Sequence, residues 1–269
     1  MSLPPVMIMV APTGARKLKS DNPAIPLSPK EIAEEIARCA AAGASIAHLH
    51  ARNPDGSPTQ SLEVYREITE RIREKCDIVV QISLGTKGFT VEQAIEPVVL
   101  KPEMVSLPLD AFKGSDKAAQ EGVHQMAHAV RKHGVRPEMS VYDEGMLDGA
   151  LGLLRSGAVA DPACFGFVVA DPPSMKEGAA KLMRLAEALP AGSHWWMLRG
   201  GKHALGLRAF AIELGGHVRC GFEDSVLDFD ESRKAPSNAY LVERMVKLCE
   251  ALGRRVATPA EARAAIGRT

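Results

Sequence analysis

The chain has 269 residues, 46% of them hydrophobic, enough to bury a full core, and its 33 Lys and Arg balance 33 Asp and Glu. That neutrality argues against a nucleic-acid-binding or polybasic membrane-binding surface and still leaves room for a local basic pocket. No apolar run approaches the ~18 residues of a membrane span. Met1-Ser2-Leu3-Pro4-Pro5 lacks the basic start and apolar run of a signal peptide. The five cysteines include no Cys-x-x-Cys pair. A reduced, cytoplasmic protein is therefore expected, with neither a disulfide framework nor a thiolate zinc site.

In chain order, short apolar runs alternate with amphipathic helical patterns. Strands are predicted over 6–11, 45–51, 78–84, 104–108, 138–142, 164–169, 194–198 and 217–222. Ser28-Pro29-Lys30-Glu31 opens the first predicted helix with a capping residue and a first-turn proline, and 61–75, 91–100, 117–133, 145–156, 176–189 and 238–252 continue the series. The segment 200–214 is glycine-rich at its start and fits neither class cleanly. Strict β-α alternation marks a parallel sheet wound with helices. Eight units make a closed (β/α)8 TIM barrel, one domain over 1–269, the expected fold, with a doubly wound open sheet as the alternative.

The second strand carries the most informative motif, His48-Leu49-His50. Alternation puts Ile46, His48, His50 and Arg52 on one face and Ala47, Leu49 and Ala51 on the other. Two imidazoles on one face suit a metal. The turn Asn53-Pro54-Asp55-Gly56 places His50 and Arg52 at the C-terminal strand end, where barrels put their chemistry. Two hydrogen-bonded histidines at a wet strand end are the structural alternative. In the last strand, alternation aligns His217, Arg219, Gly221 and Glu223 on the inward face, with Glu223 at the mouth, where it can approach the second strand across the lumen. His48, His50 and Glu223 then form a three-ligand set with room for water or substrate, as in catalytic zinc sites; zinc is favoured over other divalent ions. A structural ion-pair cluster of Arg219, Glu223 and Asp224 is the competing reading.

Together, Ala11-Pro12-Thr13-Gly14-Ala15, Ala42-Gly43-Ala44-Ser45-Ile46-Ala47-His48-Leu49-His50-Ala51-Arg52 with Asp55-Gly56, Ser83-x-Gly85, Arg136-Pro137-Glu138, and Gly215-Gly216-His217-Val218-Arg219-Cys220-Gly221-Phe222-Glu223-Asp224 resemble the β-keto acid cleavage enzymes, the group typified by 3-keto-5-aminohexanoate cleavage enzyme. Ser237-Asn238-Ala239 and Ala257-Thr258-Pro259-Ala260-Glu261-Ala262-Arg263 fit it too, so the resemblance spans essentially the whole chain. It implies a TIM barrel, a zinc ion held by two histidines and a glutamate, and a homotetramer. It also implies a retro-Claisen-type exchange in which a β-keto acid and acetyl-CoA give acetoacetate and a new acyl-CoA. The expected partners are these small molecules, with neither nucleic acid nor membrane.

The resemblance further implies Asp224 as the base that takes a proton from the carbon between carboxylate and ketone, oriented by Arg219. Because Asp224 is out of phase with the inward face, the chain is expected to turn right after Glu223. Ser83 matches the family's strand-three serine beside the substrate. Glu138 lies at the mouth-facing phase of strand five, with Ser140 and Tyr142. Ser83 and Glu138 are the further catalytic candidates, and polar barrel filler is the alternative for each. Thr13, Gly85 and Ser106, in the motifs of the first, third and fourth strands, are expected at the substrate together with Arg16. In the loop Arg199-Gly200-Gly201-Lys202-His203, Gly200, Gly201 and Lys202 are candidate contacts for the CoA phosphate or pantetheine, or a solvated glycine turn.

The chain also departs from the family pattern. Ser140 stands where relatives carry a second glutamate, and the segments after strands four and six differ. Arg16 follows Thr13-Gly14-Ala15 where amino-keto-acid members have a glutamate suited to an ammonium, which implies an anionic or neutral β-keto acid unless Arg16 points to solvent. A metal-dependent hydrolase of the amidohydrolase kind places His-x-His at the first strand and draws further histidines from strands five and six, which have none here. His124, His128 and His133 read as a solvated helical face. A non-catalytic metal- or CoA-binding protein is the remaining alternative.

Overall fold

Eight parallel strands close into one barrel in this computed structural model, which describes residues 3–85, 87–110, 116–199 and 201–268. The strands are β1 (Ile8–Val10), β2 (Ile46–Leu49), β3 (Val79–Ser83), β4 (Met104–Pro108), β5 (Arg136–Val141), β6 (Cys164–Val169), β7 (His194–Arg199) and β8 (His217–Cys220). Each pairs with its neighbour in sequence, and β8 returns to pair with β1, with Met9 opposite Arg219. The fold is the (β/α)8 TIM barrel, and the open-sheet alternative is excluded by that closure.

The outer ring consists of α1 (Pro29–Ala41), α2 (Leu62–Lys75), α3 (Val91–Ile95), α4 (Lys117–Lys132), α5 (Glu144–Arg155), α6 (Met175–Glu187), α7 (Ala204–Glu213) and α8 (Asn238–Ala251). At the start of α1, the Ser28 hydroxyl accepts from the Glu31 amide and the Glu31 carboxylate accepts from the Ser28 amide, so two otherwise orphaned donors are satisfied reciprocally. The single helix predicted over 91–100 is divided. Pro97 lacks an amide hydrogen, and α3 gives way to a 3₁₀ turn over Glu96–Leu100. The ambiguous 200–214 segment becomes a 3₁₀ turn over Gly201–His203 and then α7.

Outward strand residues such as Ile8, Val10, Ala47, Leu49 and Val218 pack on the helices. Inside the barrel, Met7, Met9, Ile46, Val79, Met104 and Trp196 fill the N-terminal end. A further helix, α9 (Pro259–Ala265), closes that end by adding Ala262 and the following Ile266 to the same cluster. Polar residues replace this apolar filling toward the C-terminal ends of the strands, so the chemistry collects there. No described helix is long and apolar enough to cross a membrane.

Candidate active site and metal centre

Two strand ends and the loops beyond them build the site. His48 and His50 stay in phase at the cavity, but Arg52 does not. After Leu49 the chain leaves the barrel for a short antiparallel excursion, Ala51–Arg52 against Pro58–Thr59. The Arg52 guanidinium donates to the carbonyl oxygens of Gly14 (2.8 Å), Lys17 (2.8 Å) and Gly56, so it clamps the loop after β1.

At the other strand end, β8 stops at Cys220, before the predicted 222. Gly221, at φ 133°, begins a turn in which the Asp224 amide donates to the Gly221 carbonyl at 3.0 Å. A Cβ at position 221 would lie 2.3 Å from the Ala11 carbonyl oxygen, so the turn needs glycine. The chain therefore bends before Glu223 and not after it, and the bend delivers both Glu223 and Asp224 to the cavity. Only β1 separates β2 from β8 in the closed sheet. Glu223 thus reaches the histidines over the end of β1, not across the lumen. Gly14, at φ 68°, leaves the space: a Cβ there would lie 2.5 Å from Cγ of Glu223.

Three ligand atoms converge at this point. Nε2 of His48 lies 3.2 Å from Nε2 of His50, and Oε2 of Glu223 lies 3.2 Å and 3.4 Å from the two nitrogens. A tetrahedral ion with bonds of ~2.0–2.1 Å separates its ligand atoms by about 3.3 Å, which these distances match. Oε2 of Glu223 is buried and accepts no hydrogen bond, whereas Oε1 accepts from Nη2 of Arg219 at 3.1 Å. An orphaned buried carboxylate oxygen facing two imidazole nitrogens is the environment a divalent cation completes. Burial works against charge on Glu223, but Arg219, His48 and His50 outweigh it and hold the carboxyl well below the usual range. Burial lowers His50 in spite of Glu223, which favours the neutral, ligating imidazole.

Behind His48 runs a buried polar chain. Nδ1 of His48 is 2.6 Å from Oε1 of Gln81, and the Gln81 amide group donates to Glu138 at 3.3 Å. The other Glu138 oxygen accepts from the Ser140 hydroxyl at 3.3 Å. Burial pushes Glu138 above the usual carboxylate range, opposed by His48 and Arg219. Glu138 is fully buried and is not among the residues that line the cavity. Gln81, missed in the sequence, has a legible signal: a polar residue in phase with the inward face of an otherwise apolar strand.

Arg219 holds the second acidic residue too. Its Nε and Nη2 donate to the two carboxylate oxygens of Asp224 at 3.0 and 2.5 Å. Burial works against the guanidinium charge, but Asp224 and Glu223 more than offset it and raise its pKa. The ion-pair cluster and the three-ligand set are therefore not alternatives, because Glu223 belongs to both. Lys17 fastens the neighbouring loop: its ammonium donates to the carbonyl oxygens of Phe222 (2.8 Å) and Glu223 (3.2 Å).

These groups share a cavity of about 310 Å³ whose walls include Thr13, Arg16, Ser83, Gly85, Ser106 and Ser140. The Ser106 hydroxyl donates to that of Ser83 at 3.4 Å, and Gln60 ties down the carbonyls of Ser83 (3.3 Å) and Gly85 (3.2 Å). The Thr13 hydroxyl is already committed to the Pro26 carbonyl at 2.5 Å. Gly201 lines a neighbouring cavity of about 130 Å³, Lys202 is exposed beside it, and neither borders the main cavity. Gly200 lies outside the described residues. Tyr142, expected at the mouth-facing phase of its strand, and Arg199, at the head of the expected anion loop, also line the main cavity, as do Lys17 and Asp110, which the sequence did not single out as site residues. On α4, His124 and His128 are exposed, and His133, which follows its last turn, is half-buried, all away from the cavity.

Comparison with known proteins agrees with this geometry. The chain is 40% identical over 264 residues to 3-keto-5-aminohexanoate cleavage enzyme of Fusobacterium nucleatum, covering 96% of each. It is 31% identical over 270 residues to 3-oxoadipate:acetyl-CoA acetyltransferase of Cupriavidus necator, covering 98% of this chain and 95% of that one. A ternary complex of ObcA with C4-CoA adduct and oxalate matches with a TM-score of 0.74 at 20% identity, covering 91% of this chain and 68% of that chain, a likeness of fold alone. The family model for beta-keto acid cleavage enzyme matches residues 5–267. With that match over nearly its full length, and with a cluster of His48, His50 and Glu223 suited to a metal at the barrel mouth, the chain is an enzyme of the β-keto acid cleavage family.

Proposed function

We propose that this enzyme converts a β-keto acid and acetyl-CoA into acetoacetate and a new acyl-CoA, with zinc held by His48, His50 and Glu223. The observation that carries the reading is the unpartnered Glu223 oxygen beside two imidazole nitrogens, in the same cavity as the Asp224–Arg219 pair. When bound, zinc supplies Lewis-acid polarisation of the carboxylate and ketone oxygens of the keto acid.

The chain's own residues do the rest. Asp224 takes the proton from the carbon between carboxylate and ketone; each of its oxygens accepts from Arg219 and keeps a second lone pair for that proton. Arg219 fixes the plane of the carboxylate and balances its charge. The Ser83 hydroxyl, which accepts from that of Ser106, donates to the substrate carboxylate. The deprotonated carbon bonds to the acetyl carbonyl carbon and expels the CoA thiolate; the thiolate adds to the original ketone, the bond between the formerly deprotonated carbon and that ketone breaks to give the new acyl-CoA, and Asp224 returns its proton to the acetoacetate enolate left behind. The equation balances with no redox partner: one C–C bond and one C–S bond form, and one of each breaks. Gly201 and the exposed Lys202 serve the CoA phosphates in this reading, and the family resemblance supports a homotetramer.

The test is to follow both products by mass spectrometry with purified enzyme, a panel of β-keto acids and acetyl-CoA, with and without a chelator. Acetoacetate and a new acyl-CoA are expected in equal amounts, and both should vanish with chelation and return with zinc. Keto-acid loss without acetyl-CoA would instead identify a hydrolase or a lyase.

A further inference from the structure

Three cations line the cavity without a carboxylate partner. Arg16, Lys17 and Arg199 form no ion pair among the described residues, whereas Arg219 is matched by Glu223 and Asp224. Lys17 donates to the carbonyl oxygens of Phe222 and Glu223, not to a carboxylate. Asp110 is the one other acid among the lining residues. The wall away from the histidines thus carries an excess of positive charge.

Arg199 is the informative member. On β7, Trp196 and Leu198 face the barrel interior, so alternation would send Arg199 outward onto the helices. Its backbone is left-handed instead, with φ 66°, and it lines both the main cavity and the smaller one beside it. A non-glycine residue held there costs of order 1 kcal/mol or more and persists only where its surroundings impose it. The result is a half-buried arginine, with no ion pair among the described residues, that lines the cavity with Leu198, Val168 and Tyr142. A cation withdrawn from water without a counter-ion is unfavourable until an anion arrives.

We infer that Arg199, backed by Lys17 and Arg16, is an anion subsite for a second, distal carboxylate of the substrate, which makes the preferred substrate class a β-keto dicarboxylate. This rests on the cleavage reading above. Arg199 and the His48–His50–Glu223 cluster line one cavity of about 310 Å³, so a single short molecule spans both. The phosphates of CoA lie at the far end of the pantetheine arm, outside a cavity of this size when the thioester reaches its floor. A fork-shaped guanidinium matches a carboxylate with two parallel hydrogen bonds, and a site built for that pairing discriminates against a substrate that lacks the charge.

The experiment compares kcat/KM for two chains of equal length, 3-oxoadipate and the uncharged-tail 3-oxohexanoate, in wild type, Arg199→Met and Arg199→Lys. The wild type is expected to prefer the dicarboxylate at least tenfold. Arg199→Met should erase most of that preference through KM, and Arg199→Lys should restore part of it. Glutarate and butyrate binding, measured by calorimetry on the zinc-loaded protein, reads the subsite without turnover: glutarate should bind at least tenfold more tightly, and only while Arg199 is present. Equal use of both keto acids by the wild type, a preference that survives Arg199→Met, or a rise confined to the KM for acetyl-CoA would each overturn the inference and leave the cleavage reading standing. Failure of every keto acid to react with acetyl-CoA would sink the cleavage reading alone, and glutarate binding would still decide the subsite.

Discussion

The Nδ1 atom of His48 lies 2.6 Å from Oε1 of Gln81, and that contact decides which nitrogen of His48 is left for an ion. Glu138 has only acceptors when ionised, so it draws the amide group of Gln81 toward itself and turns the Gln81 carbonyl to His48. The carbonyl in turn holds the proton on Nδ1, and the lone pair of the neutral ring points from Nε2 into the cluster.

Replacing Gln81 should therefore weaken metal binding without touching a ligand. Gln81→Leu is expected to lose roughly 10–100-fold in divalent-ion affinity. Competition with a chromogenic chelator measures it. An unchanged affinity would mean that the ring is held by other contacts.

The ligands themselves should behave as a set. His48→Ala, His50→Ala and Glu223→Ala are each expected to lose bound zinc and turnover together, because a three-ligand site missing one ligand is both weaker and misshapen. Elemental analysis after dialysis reads the first loss and the acetyl-CoA assay the second. Full occupancy with wild-type turnover in any one of them removes that residue from the centre.

Asp224 and Arg219 should separate from the ligands and from each other. Asp224→Asn is expected to keep its metal and lose about 10²–10⁴ in kcat, the range for removal of a general base. Arg219→Ala should lose turnover and also part of its metal affinity, because Arg219 holds Glu223 as well as Asp224. Metal loss in Asp224→Asn, with metal retained in Glu223→Gln, would exchange the roles of the two acids.

The opposite end of the barrel carries a pH dependence of stability. His217 is buried, its Nδ1 accepts from the Met7 amide at 3.2 Å, and its Nε2 lies 3.3 Å from Nδ1 of His194. Burial, with His194 and Arg254 adding to it, holds this imidazole neutral, well below its ordinary pKa. In the unfolded chain it titrates near ~6.5, so below that pH the unfolded state binds a proton that the native state refuses. The stability is fully present above that value and is lost as pH falls toward the native pKa, by up to ~1.4 kcal/mol per pH unit for this group. Urea midpoints should drop between about pH 7.5 and 5.5, and by less in His217→Gln, which keeps an acceptor for the Met7 amide. An equal drop in the variant would assign the acid sensitivity to other groups.

Much of the fold was legible in the residues because it depends on local periodicity. Eight apolar runs alternate with amphipathic segments, and the strand cores lie where period-two burial puts them. Two members of the candidate metal cluster were legible for the same reason, His48 and His50 by alternation on β2. Strand ends were less so. Alternation extends β8 to 222 and keeps Arg52 beside His50, whereas backbone contacts from other loops end both patterns early.

What the sequence by itself determined is the set of residues available for chemistry, because residue type and period are local properties: two imidazoles on one strand face and an Arg, Glu and Asp at the end of the last strand. Tertiary structure alone decided how they combine. The turn at Gly221 and the gap at Gly14 carry Glu223 over β1 to the histidines, since the closed sheet leaves one strand between them. Closure of the barrel likewise buries Glu138 behind Gln81, whose side chain meets His48, and the left-handed backbone of Arg199 turns it into the cavity against its strand's alternation. Each of these depends on which strands become neighbours and where backbone from a distant loop intrudes, and no local period encodes either.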